Sequence, residues 1–140
     1  LMGRFNDACA KNPDIDRPNI MLLRHTYVGS SEADIAEAAH ELSVYYNYKF
    51  AWFKNEKPVH QGLIERIPDE DIRANAMLSD AVMRSNNVVG DAATVIARLK
   101  AYQAMGYDEY SFWIDTGMPF ERKKASLERF IAEVMPAFAE

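Results

Sequence analysis

Apolar and polar positions change their spacing several times along the chain, and each change marks an element. Residues 1 to 12 are helix-compatible and end at Asn12-Pro13, after which Asp14, Asp16 and Pro18 make a short linker. Asn19 to Val28 then runs almost continuously apolar, with β-branched and aromatic members, between Pro18 and Gly29. That pattern predicts a strand covered on both faces, as in a parallel sheet. Ser31 followed by Glu32 and Asp34 predicts a capped helix start, because a serine oxygen and acidic residues complement the free N–H groups of a first turn. Ile35, Ala38, Ala39, Leu42, Tyr46, Phe50 and Phe53 keep one stripe at helical spacing to about residue 53.

The aromatic tail of that helix, Tyr45, Tyr46, Tyr48, Phe50, Trp52 and Phe53, is too rich for one face and is expected to meet a second surface. From Lys54 to Pro68 the periodicity breaks at Asn55, Pro58, Gly62 and Pro68, and it returns from Asp69 to Arg84 as a helix. Val88-Val89 is a short strand. Gly90-Asp91 opens a helix with Val95, Ile96, Leu99 and Tyr102 on one side, closed by Gly106 in the left-handed position favoured after helices. Tyr107 to Ile114 reads as an aromatic strand, Asp115 to Pro119 as a turn, and Leu127 to Phe138 as a final helix that Pro136 interrupts.

Strands alternating with helices argue for right-handed βαβ units and a parallel sheet. Three strands with helices enough for one face leave the other face bare. A (β/α)8 barrel, which turns that face inward, takes roughly 250 residues. The expected fold class is therefore α/β and helix-rich, the C-terminal portion of a TIM barrel with about three strands and their helices. Its parts would be the strand and long helix of residues 18–53, an irregular excursion with a helix over 54–87, and a short strand, helix, strand and C-terminal helix over 88–140. A start at Leu1-Met2 inside a helical stretch fits a piece of something longer. Self-association through the bare face is the corollary.

Composition narrows the function classes. The 140 residues carry 16 Lys+Arg against 21 Asp+Glu, a formal charge of −5, and the basic residues are scattered or flanked by glutamate. No nucleic acid is therefore expected as a partner. The lone cysteine, Cys9, permits no internal disulfide, and no apolar run approaches the roughly 18 residues of a membrane span. A cytoplasmic protein without a membrane partner is the expectation. The three histidines have no metal-ligand spacing, and no Gly-x-Ser-x-Gly or phosphate-loop sequence is present, so metal, hydrolase and nucleotide readings fall away.

Two stretches carry a resemblance. The first is Arg24-His25-Thr26-Tyr27-Val28-Gly29-Ser30-Ser31-Glu32-Ala33-Asp34. The second runs from Val88-Val89-Gly90-Asp91 through Val95 to Leu99, Gly106-Tyr107-Asp108-Glu109 and Gly117-Met118-Pro119 to Leu127-Glu128, Phe130, Val134-Met135-Pro136 and Phe138. Together, and covering roughly half of the chain, they resemble the C-terminal part of the bacterial luciferase-like flavin monooxygenases. The resemblance implies the sixth to eighth strands of a barrel. It implies reduced flavin, FMN or in relatives the deazaflavin F420, and O2 acting on a small organic substrate, with a flavin reductase as a possible partner. Much of the flavin contact in that family comes from earlier strands, so the chain alone is expected to be inactive.

Barrel active sites lie at the carboxyl ends of the strands, which here means Thr26 to Ser31, Gly90-Asp91 and Ile114 to Thr116. Arg24 and His25 interrupt the apolar strand and must point to opposite faces. They are the candidate catalytic residues: the inward one would meet flavin phosphate or a substrate anion, and the outward one would pair with a helix carboxylate. Arg24 is preferred for the anion because its guanidinium stays charged and binds bidentately. Gly90, whose backbone opens a helix, and Trp113, as a pocket wall, complete the cofactor-binding candidates, against the plainer roles of helix capping by Asp91 and core packing. A rival reading makes the chain a self-associating α/β interaction module without catalysis, with Tyr45 to Phe53 as its homo-oligomer interface.

Overall fold

The computed structural model describes residues 2–139. Its elements are α1 (Met2–Ala10), β1 (Met21–Val28), α2 (Glu32–Phe53), β2 (Val59–His60), β3 (Leu63–Ile64), α3 (Asp69–Ala74), α4 (Asp80–Asn86), β4 (Val88–Gly90), α5 (Ala92–Ala104), β5 (Glu109–Trp113) and α6 (Phe120–Arg129). A mixed α/β fold with a parallel sheet results. Among the described residues no helix is long and apolar enough to cross a membrane.

The sheet has the order β4-β1-β5, with both pairs parallel; Thr26 to Val28 lie beside Val88 to Gly90, and Met21 to His25 beside Glu109 to Trp113. Consecutive barrel strands would stand in the order β1-β4-β5. Here the chain leaves β1 in one direction and returns across it to β5, so two right-handed crossovers put their helices on opposite faces. Tyr27 and Val89 pack with Ile35, Ala38 and Leu42 of α2, and Met83 of α4. Val28 and Val88 pack with Val95 and Leu99 of α5, and Val134 beyond α6. The expected bare face is therefore absent over the carboxyl half of β1, because the reversed strand order recruits helices to both sides.

The amino half of β1 corrects the sequence reading in the other direction. Met21, Leu23 and Arg24 are exposed, while His25 to Val28 are buried. Short β4 reaches only Thr26 to Val28, so the first half of β1 has one strand neighbour.

Three further local differences have local causes. The periodic stretch 69–84 is broken into α3, a 3-10 turn at Ala76–Leu78, and α4. Asn75 leaves helical geometry and its side chain accepts from the Met77 N–H, a competing bond that Asn offers the backbone. Inside the irregular excursion β2 and β3 form a hairpin whose two loop residues, Gln61 and Gly62, both have positive φ, as a two-residue turn requires. The last helix begins at Phe120, widens to a π turn over Phe130–Val134 and tightens to 3-10 over Met135–Phe138, where Pro136 has no N–H for an α-helical bond.

The excursion docks on the distal half of α2, where Ile67 and Ile72 cluster with Ala51 and the Ile67 N–H donates to the Tyr48 hydroxyl. Ser43 donates to the Leu78 carbonyl and Asn75 to the Asn47 side chain. This fixes α2 across the sheet, and with it the aromatic residues that α2 carries toward β5.

Candidate functional site

In open parallel sheets a crevice forms at the carboxyl ends of the strands where the strand order reverses. Here that place lies between β1 and β5, followed by Gly29 to Ser31 on one side and Ile114 to Gly117 on the other. Two buried polar atoms near it lack a partner among the described residues: His25 Nε2 and Thr116 Oγ1.

His25 is 1% exposed. Its Nδ1 lies 2.8 Å from the Asp115 carbonyl oxygen, which can only accept, so Nδ1 carries the hydrogen and Nε2 presents a lone pair. Burial pushes the imidazole below its ordinary pKa; the Asp115 carbonyl opposes this, and the ammonium of Lys49 adds to it. The ring is accordingly neutral at pH 7. It stacks on Trp113 at 3.9 Å between centroids, and Tyr45 and Tyr46 each meet it edge-on at 5.4 Å. Lys49 Nζ stands 5.2 to 5.7 Å from the centroids of Tyr46, Trp113 and Tyr45. An imidazole acceptor of fixed tautomer is thus set in an aromatic cluster built from α2 and β5.

Behind β1, the start of α2 is held by charge. Ser31 caps the helix by accepting from the Asp34 N–H. Asp34 accepts from the Ser30 N–H and hydroxyl, the Tyr27 hydroxyl and the Arg122 guanidinium, and Arg129 lies 3.5 Å away. Burial alone would raise this carboxyl, yet those bonds win and hold it at about 2.

The structure brings together two of the four residues singled out from sequence. Trp113 lies beside His25 in register and against its ring. Arg24 points to the opposite face, exposed, with its guanidinium on the Leu23 carbonyl and in no ion pair among the described residues. The expected helix carboxylate for the residue facing away from His25 is not there. Gly90 sits on the far side of β1, where its carbonyl accepts from the Gly29 N–H and a Cβ would come within 2.8 Å of Thr94. Close helix packing accounts for this glycine. Nothing in the sequence brings Lys49 or Asp115 to the site, and Asp34 reads there only as a helix-start carboxylate. The stripe from Ile35 to Phe53 pointed to Tyr46 as packing, and nothing local in the sequence pairs it with β5.

The residues present fit a flavin in part. Trp113 and His25 offer a flat aromatic wall and an acceptor nitrogen to a ring system. A phosphate finds no cradle at the two helix starts that follow β1 and β4, since Asp34 and Asp91 already place carboxylates on their N–H groups. Arg122 and Arg129 nearby are engaged by Asp34, Glu37 and the Val28 carbonyl. Among the described residues no cluster of His, Cys, Asp and Glu could hold a metal.

Comparison with known proteins places the sequence in a family. The chain is 66% identical, over all of its 140 residues, to the oxygenase component of flavin-dependent trigonelline monooxygenase from Acinetobacter baylyi (strain ATCC 33305 / BD413 / ADP1). It spans 39% of that relative's length. No solved structure matches. The model of the luciferase-like monooxygenases matches residues 4–109, most of the chain, and the chain belongs to that family.

Proposed function

We propose that this chain is part of the oxygenase component of a two-component flavin-dependent monooxygenase, whose substrate is an N-methylpyridinium carboxylate like the trigonelline of its relative's name. The identity of 66% along the entire chain carries the reading. In the parent protein the chain would form the C-terminal portion of a TIM barrel, with the remaining strands pairing with the free edges of β4 and β5. FMN is the proposed cofactor rather than F420, a separate reductase the electron source, and a cytoplasmic homo-oligomer the working form. Exposed Trp52, Phe53, Val59 and Leu63 are the apolar surface favouring self-association.

Reduced flavin, when bound, would supply the two electrons with which one atom of O2 enters the substrate and the other leaves as water. His25 would accept a hydrogen bond or proton at Nε2 from the reacting group, held in place by Nδ1 on the Asp115 carbonyl. Trp113 would wall the pocket and exclude water. Arg24, exposed and free of carboxylates among the described residues, would take an anionic group of flavin or substrate in the complete barrel.

The test uses the parent protein with reduced FMN from a separate reductase, following O2 uptake and oxygenated product. His25→Gln should lower kcat/KM by about 100-fold. An unaltered kcat/KM would remove His25 from the reaction. The 140-residue chain alone should neither turn over nor bind FMN at micromolar concentration, and tight binding would show that the site is already complete.

A further inference from the structure

The loop from Ile114 to Pro119, between β5 and α6, supplies the carbonyl that fixes the tautomer of His25. It is pinned along its length. Thr116 and Met118 are buried, and the Asp115 carboxylate lies 3.1 Å from Lys123 Nζ near the start of α6. Gly117, between the two buried side chains, has a φ of +84°, a conformation that residues with a side chain rarely adopt. A Cβ on it would lie 3.2 Å from the Cβ and 3.3 Å from the carbonyl oxygen of Glu41, so the loop backbone passes directly against α2.

That close passage bears on His25 because α2 also carries Tyr45 and Tyr46, which meet the imidazole edge-on, while Trp113, two residues before Asp115, stacks on its face. Ring and carbonyl belong to one packed unit. In a free neutral histidine side chain the hydrogen prefers Nε2, and an acceptor held at Nδ1 reverses this preference. Should the Asp115 carbonyl move out of reach, Nε2 would take the hydrogen and cease to be an acceptor.

We propose that Gly117 is a positioning residue for His25: its positive φ and its lack of a Cβ let the loop close on α2, which sets the Asp115 carbonyl on Nδ1 and keeps Nε2 free to accept. The role rests on the proposed function only in giving that acceptor a reaction to serve.

Long-range proton–nitrogen NMR correlations of the 15N-labelled chain at pH 8 read the tautomer directly, with the His25 signals assigned by their loss in His25→Gln. Nδ1 should give the shift of a nitrogen bearing hydrogen and Nε2 that of a bare one. Gly117→Ala should reverse or mix the two. Gly106→Ala is the control, because Gly106 has a φ of +96° but the nearest atom to a Cβ there is Met2 Cε at 3.5 Å; it strains a turn equally and should leave the His25 pattern unchanged. Where Ala at 117 prevents folding, Gly117→Asn serves instead, since Asn tolerates positive φ and still brings a Cβ to Glu41. A wild-type pattern in the folded 117 variant, or the same reversal in Gly106→Ala, would overturn the role. In the parent protein supplied with reduced FMN, Gly117→Ala should lower kcat/KM by about tenfold. A reversed tautomer with unaltered kcat/KM would sink the part given to His25 in the proposed function and leave the positioning intact, whereas an unreversed tautomer sinks this inference alone.

Discussion

Two strand-to-helix junctions in this chain have the same plan and different reach. At each, a glycine ends a buried strand and a polar side chain caps the next helix: Gly29 and Ser31 before α2, Gly90 and Asp91 before α5. At the second, Asp91 accepts from the Thr94 N–H at 2.8 Å and the junction is closed within four residues. The first recruits α6 from the far end of the sequence. The Val28 N–H donates to Ser126, the Val28 carbonyl accepts from Arg129, and Asp34 receives Arg122. A cap that closes on itself stabilises one helix; a cap that draws in distant cations fixes the crevice between β1 and β5.

Asp34→Ala should therefore show the largest effect. It leaves Arg122 and Arg129 without their carboxylate and the Ser30 and Tyr27 donors unsatisfied, and should cost about 3 kcal/mol in urea denaturation. Acid sharpens the point. Because the folded-state pKa of Asp34 is depressed to about 2, its contribution is complete above the ordinary aspartate range and lost as pH falls through about 2. The stability gap between wild type and Asp34→Asn should narrow from about pH 4 downward. A gap independent of pH would mean that the charge contributes nothing.

The two glycines come next. A Cβ on Gly29 would lie 2.3 Å from Cγ1 of Ile35, a buried side chain locked in the core. On Gly90 it would lie 2.8 Å from Cγ2 of Thr94, which is exposed and has solvent to turn into. Gly29→Ala should cost about 2 kcal/mol and Gly90→Ala about half as much. Equal costs would show that helix packing is as tight at both junctions.

The same comparison explains what was legible in the sequence. Both caps, the long helix from Glu32, and the helix closed by Gly106 could be read because each is decided by neighbours within a turn or two. The sequence points to His25 and Trp113 separately, one as a titratable residue in an apolar strand and the other as an aromatic in the last strand. Their meeting was not legible, since it depends on β5 pairing with β1 instead of β4. Strand order also decided the faces: helices enough for one side became helices for two once β1 stood in the middle. The burial expected of Arg24 fails for a related reason. Its half of β1 has no β4 beside it, and Met21, Leu23 and Arg24 are exposed there.

Asp91→Ala should have the smallest effect of the set. The carboxylate is solvent-exposed, it bonds the Thr94 N–H, and its pKa is lowered chiefly by Thr94. Removing it frees one N–H that water can reach, so the denaturation midpoint should fall by less than in Gly29→Ala, and Asp91→Ser should restore most of the loss because a hydroxyl caps the same donor. Hydrogen exchange locates the change. Protection should fall in the first turn of α5 and stay unaltered at Val28 and in α6, whereas Asp34→Ala should loosen all of these together. If Asp91→Ala also exposed Val28 to exchange, the second junction would be coupled to the crevice as tightly as the first, and the distinction between a local and a long-range cap would fail.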